Sequence, residues 1–314
     1  MASSSPPLVT IFITTENKAD YIGRCLDSIH AMNYKNLEIL VVDSHSTDST
    51  VEIARQKGAR VILLSRASIP LAYNTVMKES KGDYVFVVNG DSLVDENFLG
   101  NAVAEFESNP KLGMVLGRRK QFSTQTFFSK LYEARFFRND QLGYIDNPGG
   151  NFLLRKSAYL EVIKELDERL VAYEERYIGA KFVQNGYKNF RIKDYSMIHL
   201  DIAGSVFKYI KKHAWYSDGK AFFVLKSWKL DGDFILCFLL YFGLFMIFLN
   251  VLPVSVVPLL LMVIFGVPVI IVFVSGILSS FDIFTSLVLG MVESLATFLR
   301  MAFLPYYLLI NVFK

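Results

Sequence analysis

The stretch Glu38-Ile39-Leu40-Val41-Val42-Asp43-Ser44-His45-Ser46-Thr47-Asp48-Ser49-Thr50 changes character at one residue. Up to Val42 it is an apolar, β-branched run of strand length; from Asp43 it is a Ser/Asp loop of the kind that makes turns and helix caps. Ser49 to Lys57 then reads as a helix stopped by Gly58. The same unit stands upstream, where the Leu8 to Thr14 run and a polar turn precede a helix from about Asp20 to Met32 with Ile22, Leu26 and Ile29 on one face. It continues downstream with a strand at Arg60 to Leu64, a helix at Ile69 to Ser80 and a strand at Tyr84 to Val88 that runs into Asn89-Gly90-Asp91-Ser92. Strands alternating with helices predict an α/β fold, with a mainly parallel sheet covered on both faces. Ligands of such sheets bind outside the carboxyl ends of the strands, which is where these loops lie.

Residues 113–200 are less regular and read as α+β. Gly113 to Gly117 is a short strand, Thr126 to Phe137 an aromatic-rich helical stretch, and Asn147-Pro148-Gly149-Gly150-Asn151 a tight turn before the strand Phe152 to Arg155. Helices are expected from Lys156 to Glu165 and from about Tyr173 to Asn185, the second ending at Gly186. Arg191 to His199 is a last extended segment.

Charge divides the chain. Of its 63 Asp, Glu, Lys and Arg residues only Asp233, Asp282, Glu293, Arg300 and Lys314 lie beyond Gly232, and residues 234–281 form a charge-free run of 48. A bilayer crossing needs roughly 20 apolar residues, so two or three transmembrane helices are expected over 233–314 and a purely soluble protein is excluded. The spans read as Phe234 to Leu252, Val254 to Leu278 and Ile283 to about Phe313. Between them and the first domain, Ala203 to Leu230 carries six lysines against Asp218, interleaved with aromatic residues. This reads as an amphipathic interfacial segment, which by the positive-inside rule leaves the first domain cytoplasmic. The expected domains are therefore 1–202, 203–232 and 233–314. The start of the chain has no basic region ahead of its short apolar stretch, so no secretory signal is expected. A net charge of +3 gives no reason to expect a nucleic-acid partner. Cys25 and Cys237 read as reduced packing residues.

The loops hold the chemistry. Asp43 and Asp48 are placed to accept hydrogen bonds from ribose hydroxyls or a base NH, although turns and caps use the same residues. Asp91 follows a buried apolar strand, where a carboxylate can carry a hard divalent cation against phosphate oxygens, with Asn89 as an uncharged oxygen ligand. Glu174 and Glu175 open a helix, as the helix dipole alone favours, or supply a general base. His199, a lone histidine, is structural or a ligand.

The order of these pieces resembles the family 2 glycosyltransferases, with their GT-A, Rossmann-like nucleotide-sugar fold, across about residues 7–225. Val9-Thr10-Ile11-Phe12-Ile13-Thr14-Thr15-Glu16-Asn17-Lys18 is similar to the family's strand and Pro-Thr-Tyr-Asn-Glu loop, with Thr15 and Asn17 matching and Thr14, Glu16 and Lys18 departing. Ile22 to Ile29 and the Glu38 to Thr50 stretch follow the family closely. Lys81-Gly82-Asp83-Tyr84 leads into Asn89-Gly90-Asp91, similar to the Asp-x-Asp metal motif with its first Asp replaced. Gly149 to Arg155, Leu166 to Leu170 and Glu174-Glu175 resemble the acceptor-side segment, its Glu-Asp pair here being Glu-Glu.

The resemblance implies roles. Thr15, Asn17, Asp43 and Asn89 bind the donor nucleotide, with Lys212 and Lys220 adding charge to its diphosphate. Asp91 and His199 hold a divalent cation, Mn²⁺ or Mg²⁺. Glu175 is the base, with Glu174 beside it. His213, Trp215, Tyr216 and Gly219 form an active-site cover. The expected activity is inverting, nucleotide-sugar-dependent hexosyl transfer from a UDP- or GDP-sugar. A membrane-embedded half suits a lipid-linked, polyprenyl-type saccharide acceptor, with membrane lipids as further partners and oligomerisation left open. A polyprenyl phosphate acceptor and a non-catalytic GT-A-fold membrane scaffold are the alternatives.

Overall fold

A computed structural model of the chain describes residues 5–121, 141–146, 148–170 and 172–200. All lie in the first of the two units into which the chain divides, Met1–Ser129 with Phe136–Ile202.

The strand-and-helix units fold as their patterns predict. Strands β1 (Val9–Thr15), β2 (Leu37–Asp43), β3 (Arg60–Leu63) and β4 (Tyr84–Asn89) alternate with helices α1 (Ala19–His30), α2 (Thr50–Gln56) and α3 (Ile69–Glu79). They form a parallel set in the order β3-β2-β1-β4. The chain winds outward from β1 in both directions, so the crevice beyond its carboxyl end, between β2 and β4, is the topological switch point. Register puts Thr15 beside Asp43 and Thr14 beside Asn89 at this end of the sheet.

Both faces of β1 are buried, and their residues alternate between two layers. Val9, Ile11 and Ile13 join Ile22, Cys25, Leu26 and Ile29 of α1 in one hydrophobic cluster. From the other face, Phe12 meets Tyr73 of α3 edge to face, with ring centroids 5.1 Å apart. Cys25 is fully buried, and burial pushes its thiol up to about 12, so it is an inert packing residue.

Beyond β4 the sheet continues through β8 (Phe152–Arg155), β6 (Leu112–Gln121), β9 (Lys188–His199) and β5 (Ser92–Leu93), with β7 (Gly143–Tyr144) also paired to β9. Here the strands run both ways. β8 is antiparallel to β4 and β6, β9 is antiparallel to β5 and β7, and β6 and β9 are parallel. The sheet is thus mixed more evenly than the mainly parallel one expected, because a short apolar run such as Phe-Leu-Leu-Arg reads the same in either direction. Helices α4 (Phe98–Ser108), α5 (Lys156–Val162) and α6 (Glu174–Gln184) complete the described elements. α4 buries Phe98, Leu99, Ala102, Val103 and Phe106, with Phe98 against Phe86 and Phe106 stacked on Tyr84. Each such large apolar side chain contributes about 1.5–3 kcal/mol on burial.

Among the described residues no helix is long and apolar enough to cross a membrane. The expected membrane spans, the interfacial stretch and the aromatic segment 126–137 lie outside the described residues.

Candidate active site

At the carboxyl end of β1 and β2 the two loops are tied into one surface. Asn17 adopts a left-handed conformation, φ 50°, which Asn tolerates better than most residues. Its side-chain oxygen Oδ1 accepts from the Thr47 amide at 2.9 Å, and its backbone amide donates to the Ser46 hydroxyl at 2.8 Å. Asp43 is 2% exposed and accepts from the Ser46 amide at 2.9 Å and from the Ser46 hydroxyl at 2.5 Å. Thr15, also buried, has a hydroxyl with no hydrogen-bond partner among the described residues. Asp48 has a different task. One carboxylate oxygen accepts from the Thr50 amide at 3.0 Å and the other from the Ala19 amide at 3.1 Å, so it caps α2 and α1 together. The turn-and-cap reading therefore accounts for Asp48, while Thr15, Asn17 and Asp43 line one crevice.

The second cluster surrounds Asp91. Gly90 donates its amide to the Thr14 carbonyl at 3.0 Å, drawing the turn after β4 against β1; a Cβ there would stand 3.1 Å from the Thr15 hydroxyl. From the far side of the fold, β5 pairs Ser92 with His199, and Leu200 donates its amide to the Asp91 carbonyl at 2.9 Å. These contacts bring His199 Nε2 to 3.7 Å from Asp91 Oδ1, with both side chains mostly buried. Lys18, which opens α1, extends its ammonium to 2.8 Å from Asp91 Oδ2. Asn89 is exposed at the end of β4.

One carboxylate and one imidazole facing the same space suit a divalent cation of the Mn²⁺ or Mg²⁺ type that completes its shell with phosphate oxygens and water. Among the described residues no three His, Cys, Asp or Glu side chains converge as a closed protein cage. The donor set fits a cation shared with a bound diphosphate.

The third cluster is built by a turn. Pro148, Gly149 and Gly150 lead into β8, and Gly179 of α6 lets the Pro148 ring approach so closely that a Cβ would lie 2.3 Å from it. This fixes the N-terminus of α6 against the turn. Gly150, at φ +91°, packs on the Arg119 stem, and an ideal Cβ on Gly149 would have Arg119 Nη1 at 3.5 Å and Glu175 Oε1 at 3.9 Å. Glu174 and Glu175 stand at this helix start, after Tyr173 at φ 68°, whose ring lies under the Arg176 guanidinium at 4.8 Å. A bulky residue in the left-handed region stores about 1–2 kcal/mol of strain.

Both carboxyls are raised above the usual range. For Glu174 the causes are burial and then the neighbouring Glu175 charge; for Glu175 burial again raises it, while the Arg176 and Arg119 guanidiniums pull it back. Two neighbouring half-buried carboxyls disfavour each other's ionisation, so both charges together cost more than either alone. The Arg176 and Arg119 guanidiniums favour the ionised form of Glu175.

The sequence-predicted residues thus fall into three described groups: Thr15, Asn17 and Asp43; Asp91 and His199, with Asn89 nearby on the chain; and Glu174 with Glu175. Lys212, Lys220 and the cover residues His213, Trp215, Tyr216 and Gly219 lie outside the described residues. Sequence reading missed Lys18 and Arg119. Lys18 was visible only as a departure from a motif, and Arg119 carried no signal of its own.

Residues 10–163 match the family model described as Glycosyl transferase family 2. Among curated proteins, Glycosyltransferase GlyA of Streptococcus pneumoniae serotype 4 is 27% identical over 214 residues, covering 54% of this chain and 30% of the relative. Poly-beta-1,6-N-acetyl-D-glucosamine synthase of Staphylococcus aureus is 25% identical over 168 residues, 49% of this chain and 41% of the relative. The chain spans less than half the length of these relatives. Among solved structures, the mannosyltransferase PcManGT from Pyrobaculum calidifontis, in complex with GDP-Man and Mn²⁺, shares the fold with a TM-score of 0.59 at 18% identity, covering 99% of this chain and 87% of that one. The α/β architecture is therefore GT-A-like.

Proposed function

We propose that this chain is a membrane-bound, inverting glycosyltransferase that moves a sugar from a nucleotide-sugar donor, a UDP- or GDP-sugar, to a lipid-linked, polyprenyl-type saccharide. The observation that carries the reading is the Glu174–Glu175 pair, two half-buried side chains whose carboxyls are both raised above the usual range, with the Arg176 and Arg119 guanidiniums favouring the ionised form of Glu175. Such a pair suits a hydroxyl nucleophile, which needs a base; a polyprenyl phosphate is already ionised and needs none. The mannosyltransferase of similar fold, solved with GDP-Man and Mn²⁺, supports a nucleotide-sugar donor and a divalent cation. The 48-residue charge-free run supports a lipid-embedded acceptor.

In this mechanism Thr15, Asn17 and Asp43 bind the nucleoside at the sheet's switch point, and Asn89 adds an uncharged hydrogen-bonding group. Asp91 and His199 would hold the divalent cation, which supplies Lewis-acid charge to the diphosphate when bound. Glu175 takes the proton of the acceptor hydroxyl as its oxygen forms a bond to the anomeric carbon. The bond from that carbon to the diphosphate breaks on the opposite face, and the nucleoside diphosphate leaves with the electron pair. Glu174, protonated, keeps the shared site at a single negative charge. The catalytic domain faces the cytoplasm, with the basic 203–232 segment on the membrane surface beside the acceptor.

The test is product analysis with the full chain in membranes, supplied with UDP- and GDP-sugars and a lipid extract. Sugar added to a lipid-linked saccharide, and lost in Glu175→Gln, is the expected result. Full activity of Glu175→Gln on a polyprenyl phosphate would replace the acceptor assignment. Failure to turn over or bind any nucleotide sugar, with Asp91→Ala unchanged, would leave the scaffold alternative.

A further inference from the structure

Lys18 is placed by its backbone before its side chain acts. Its amide donates to the Thr50 hydroxyl at 2.8 Å, and its carbonyl accepts from the Tyr21 and Ile22 amides at 2.9 Å each, the first bonds of α1. The residue is therefore pinned between the loops after β1 and β2. Its stem passes Tyr21, with the ammonium 5.7 Å from the ring centroid, and ends 2.8 Å from Asp91 Oδ2. The Lys18 side chain is one-quarter exposed and that of its partner Asp91 10% exposed. Three facts then meet at one point. The position is the mouth of the sheet at its switch point; the carboxylate offered there is already neutralised from within the chain; and the residue two positions before it, Asn89, is uncharged. Among the described residues the Asp91 carboxylate faces the Lys18 ammonium at Oδ2 and the His199 imidazole at Oδ1.

Resting on the nucleotide-sugar reading, we propose that Lys18 is a further donor-binding residue. It carries a resident positive charge to the donor diphosphate, so that the nucleoside diphosphate binds without a divalent cation. A cation reaches Asp91 and His199 only by displacing the ammonium from Asp91 Oδ2. On donor binding the ammonium turns from the carboxylate to the phosphate oxygens, a short movement for a flexible four-carbon stem. A cation that then joins at Asp91 acts with Lys18 rather than in its place. The tight cation dependence of an acidic site is exchanged for weak cation affinity and charge held by the chain.

The experiment measures binding, not turnover. Full-length protein in detergent micelles is titrated with UDP and with GDP by calorimetry, once in EDTA and once with Mn²⁺, and free Mn²⁺ is followed separately by its EPR signal without nucleotide. Wild type is expected to bind one of the diphosphates in EDTA within a few-fold of its affinity in Mn²⁺. Lys18→Met is expected to lose about tenfold or more of the affinity in EDTA, the scale of one charge-assisted hydrogen bond, and to regain much of it in Mn²⁺. Lys18→Arg, which keeps the charge, should retain binding in EDTA. Lys18→Glu, which adds a carboxylate beside Asp91 and His199, should take up Mn²⁺ about tenfold or more tightly than wild type, by the added ligand and the lost ammonium. The Lys18 assignment is overturned if wild type binds diphosphate only with Mn²⁺, or if Lys18→Met binds as wild type does in EDTA. Binding of neither diphosphate with or without Mn²⁺ overturns the nucleotide-sugar reading itself and the Lys18 assignment with it.

Discussion

The side-chain amide of Asn74 exchanges two hydrogen bonds with the backbone of Leu166: its nitrogen donates to the Leu166 carbonyl at 3.0 Å, and its oxygen accepts from the Leu166 amide at 2.8 Å. Both bonds are buried. They fasten the segment leading to Glu174 onto α3, whose Tyr73 packs on the central strand. Replacing Asn74 with Ala leaves both backbone groups unsatisfied and is expected to destabilise the domain by about 1–3 kcal/mol. Chemical denaturation of the full chain measures it; an unchanged midpoint would mean that water replaces the clamp.

The two glutamates are expected to behave differently in catalysis. Glu175→Gln removes the proton acceptor and should lower kcat by about a hundredfold to ten-thousandfold. Glu174→Gln keeps the neutral neighbour and should leave kcat within about tenfold of wild type on the same scale. Because both carboxyls sit above the ordinary range, the rate should rise with pH through a window above that range. Glu174→Gln should leave this window in place, since glutamine keeps the neutral neighbour that the protonated Glu174 provides. A profile that Glu174→Gln moves down would show that Glu174 carries a charge beside Glu175 and is not the protonated member.

The same raised carboxyls make a stability prediction. A group that binds its proton more tightly in the folded state favours folding at low pH and loses that advantage as pH rises from its unfolded value through its folded one. Glu174, raised by burial and by Glu175, is such a group. Glu174→Gln is therefore expected to raise the unfolding midpoint at neutral pH and to have less effect near pH 4. Equal effects at both values would show that the carboxyl is not held in its neutral form.

Adjacent glycines in the turn before β8 should respond differently to a methyl group. At Gly150 a Cβ would lie 2.5 Å from Arg119 Cδ on a backbone at φ +91°, whereas at Gly149 the contacts are 3.5 and 3.9 Å. Gly150→Ala is expected to cost about 1–2 kcal/mol or more and to displace Arg119. Gly149→Ala should fold with near wild-type stability. Thermal unfolding of both variants, with the pH profile of Gly150→Ala as a reading of the Arg119 charge, checks the pair.

Asp43 should matter through its loop as well as its charge. Asp43→Ala removes the acceptor for both groups of Ser46, freeing the loop that carries Thr47 to Asn17. Nucleoside diphosphate affinity is expected to fall by about tenfold or more. Titration with UDP and GDP measures it, and unchanged affinity would remove Asp43 from the donor site.

Local chemistry made the first half of the domain legible. Apolar β-branched runs, polar loops and glycine stops act within a few residues, so β1 to β4 and α1 to α3 could be read to within about two residues of where they lie. Helix α4 went unread in the sequence, although its apolar residues Phe98, Leu99, Ala102, Val103 and Phe106 recur at helical spacing. Strand direction beyond β4 was not legible, nor were the two-residue strands β5 and β7, because they exist only through partners at Ser92–His199 and Gly143–Arg191. The candidate site residues divide in the same way. Asp43, Asp91 and the glutamate pair announce themselves by residue type at a strand end or helix start. That Asp91 faces Lys18 and His199, and that Arg119 biases Glu175, follows from folding segments far apart in the chain onto one sheet end, where side-chain charge is set by neighbours in space.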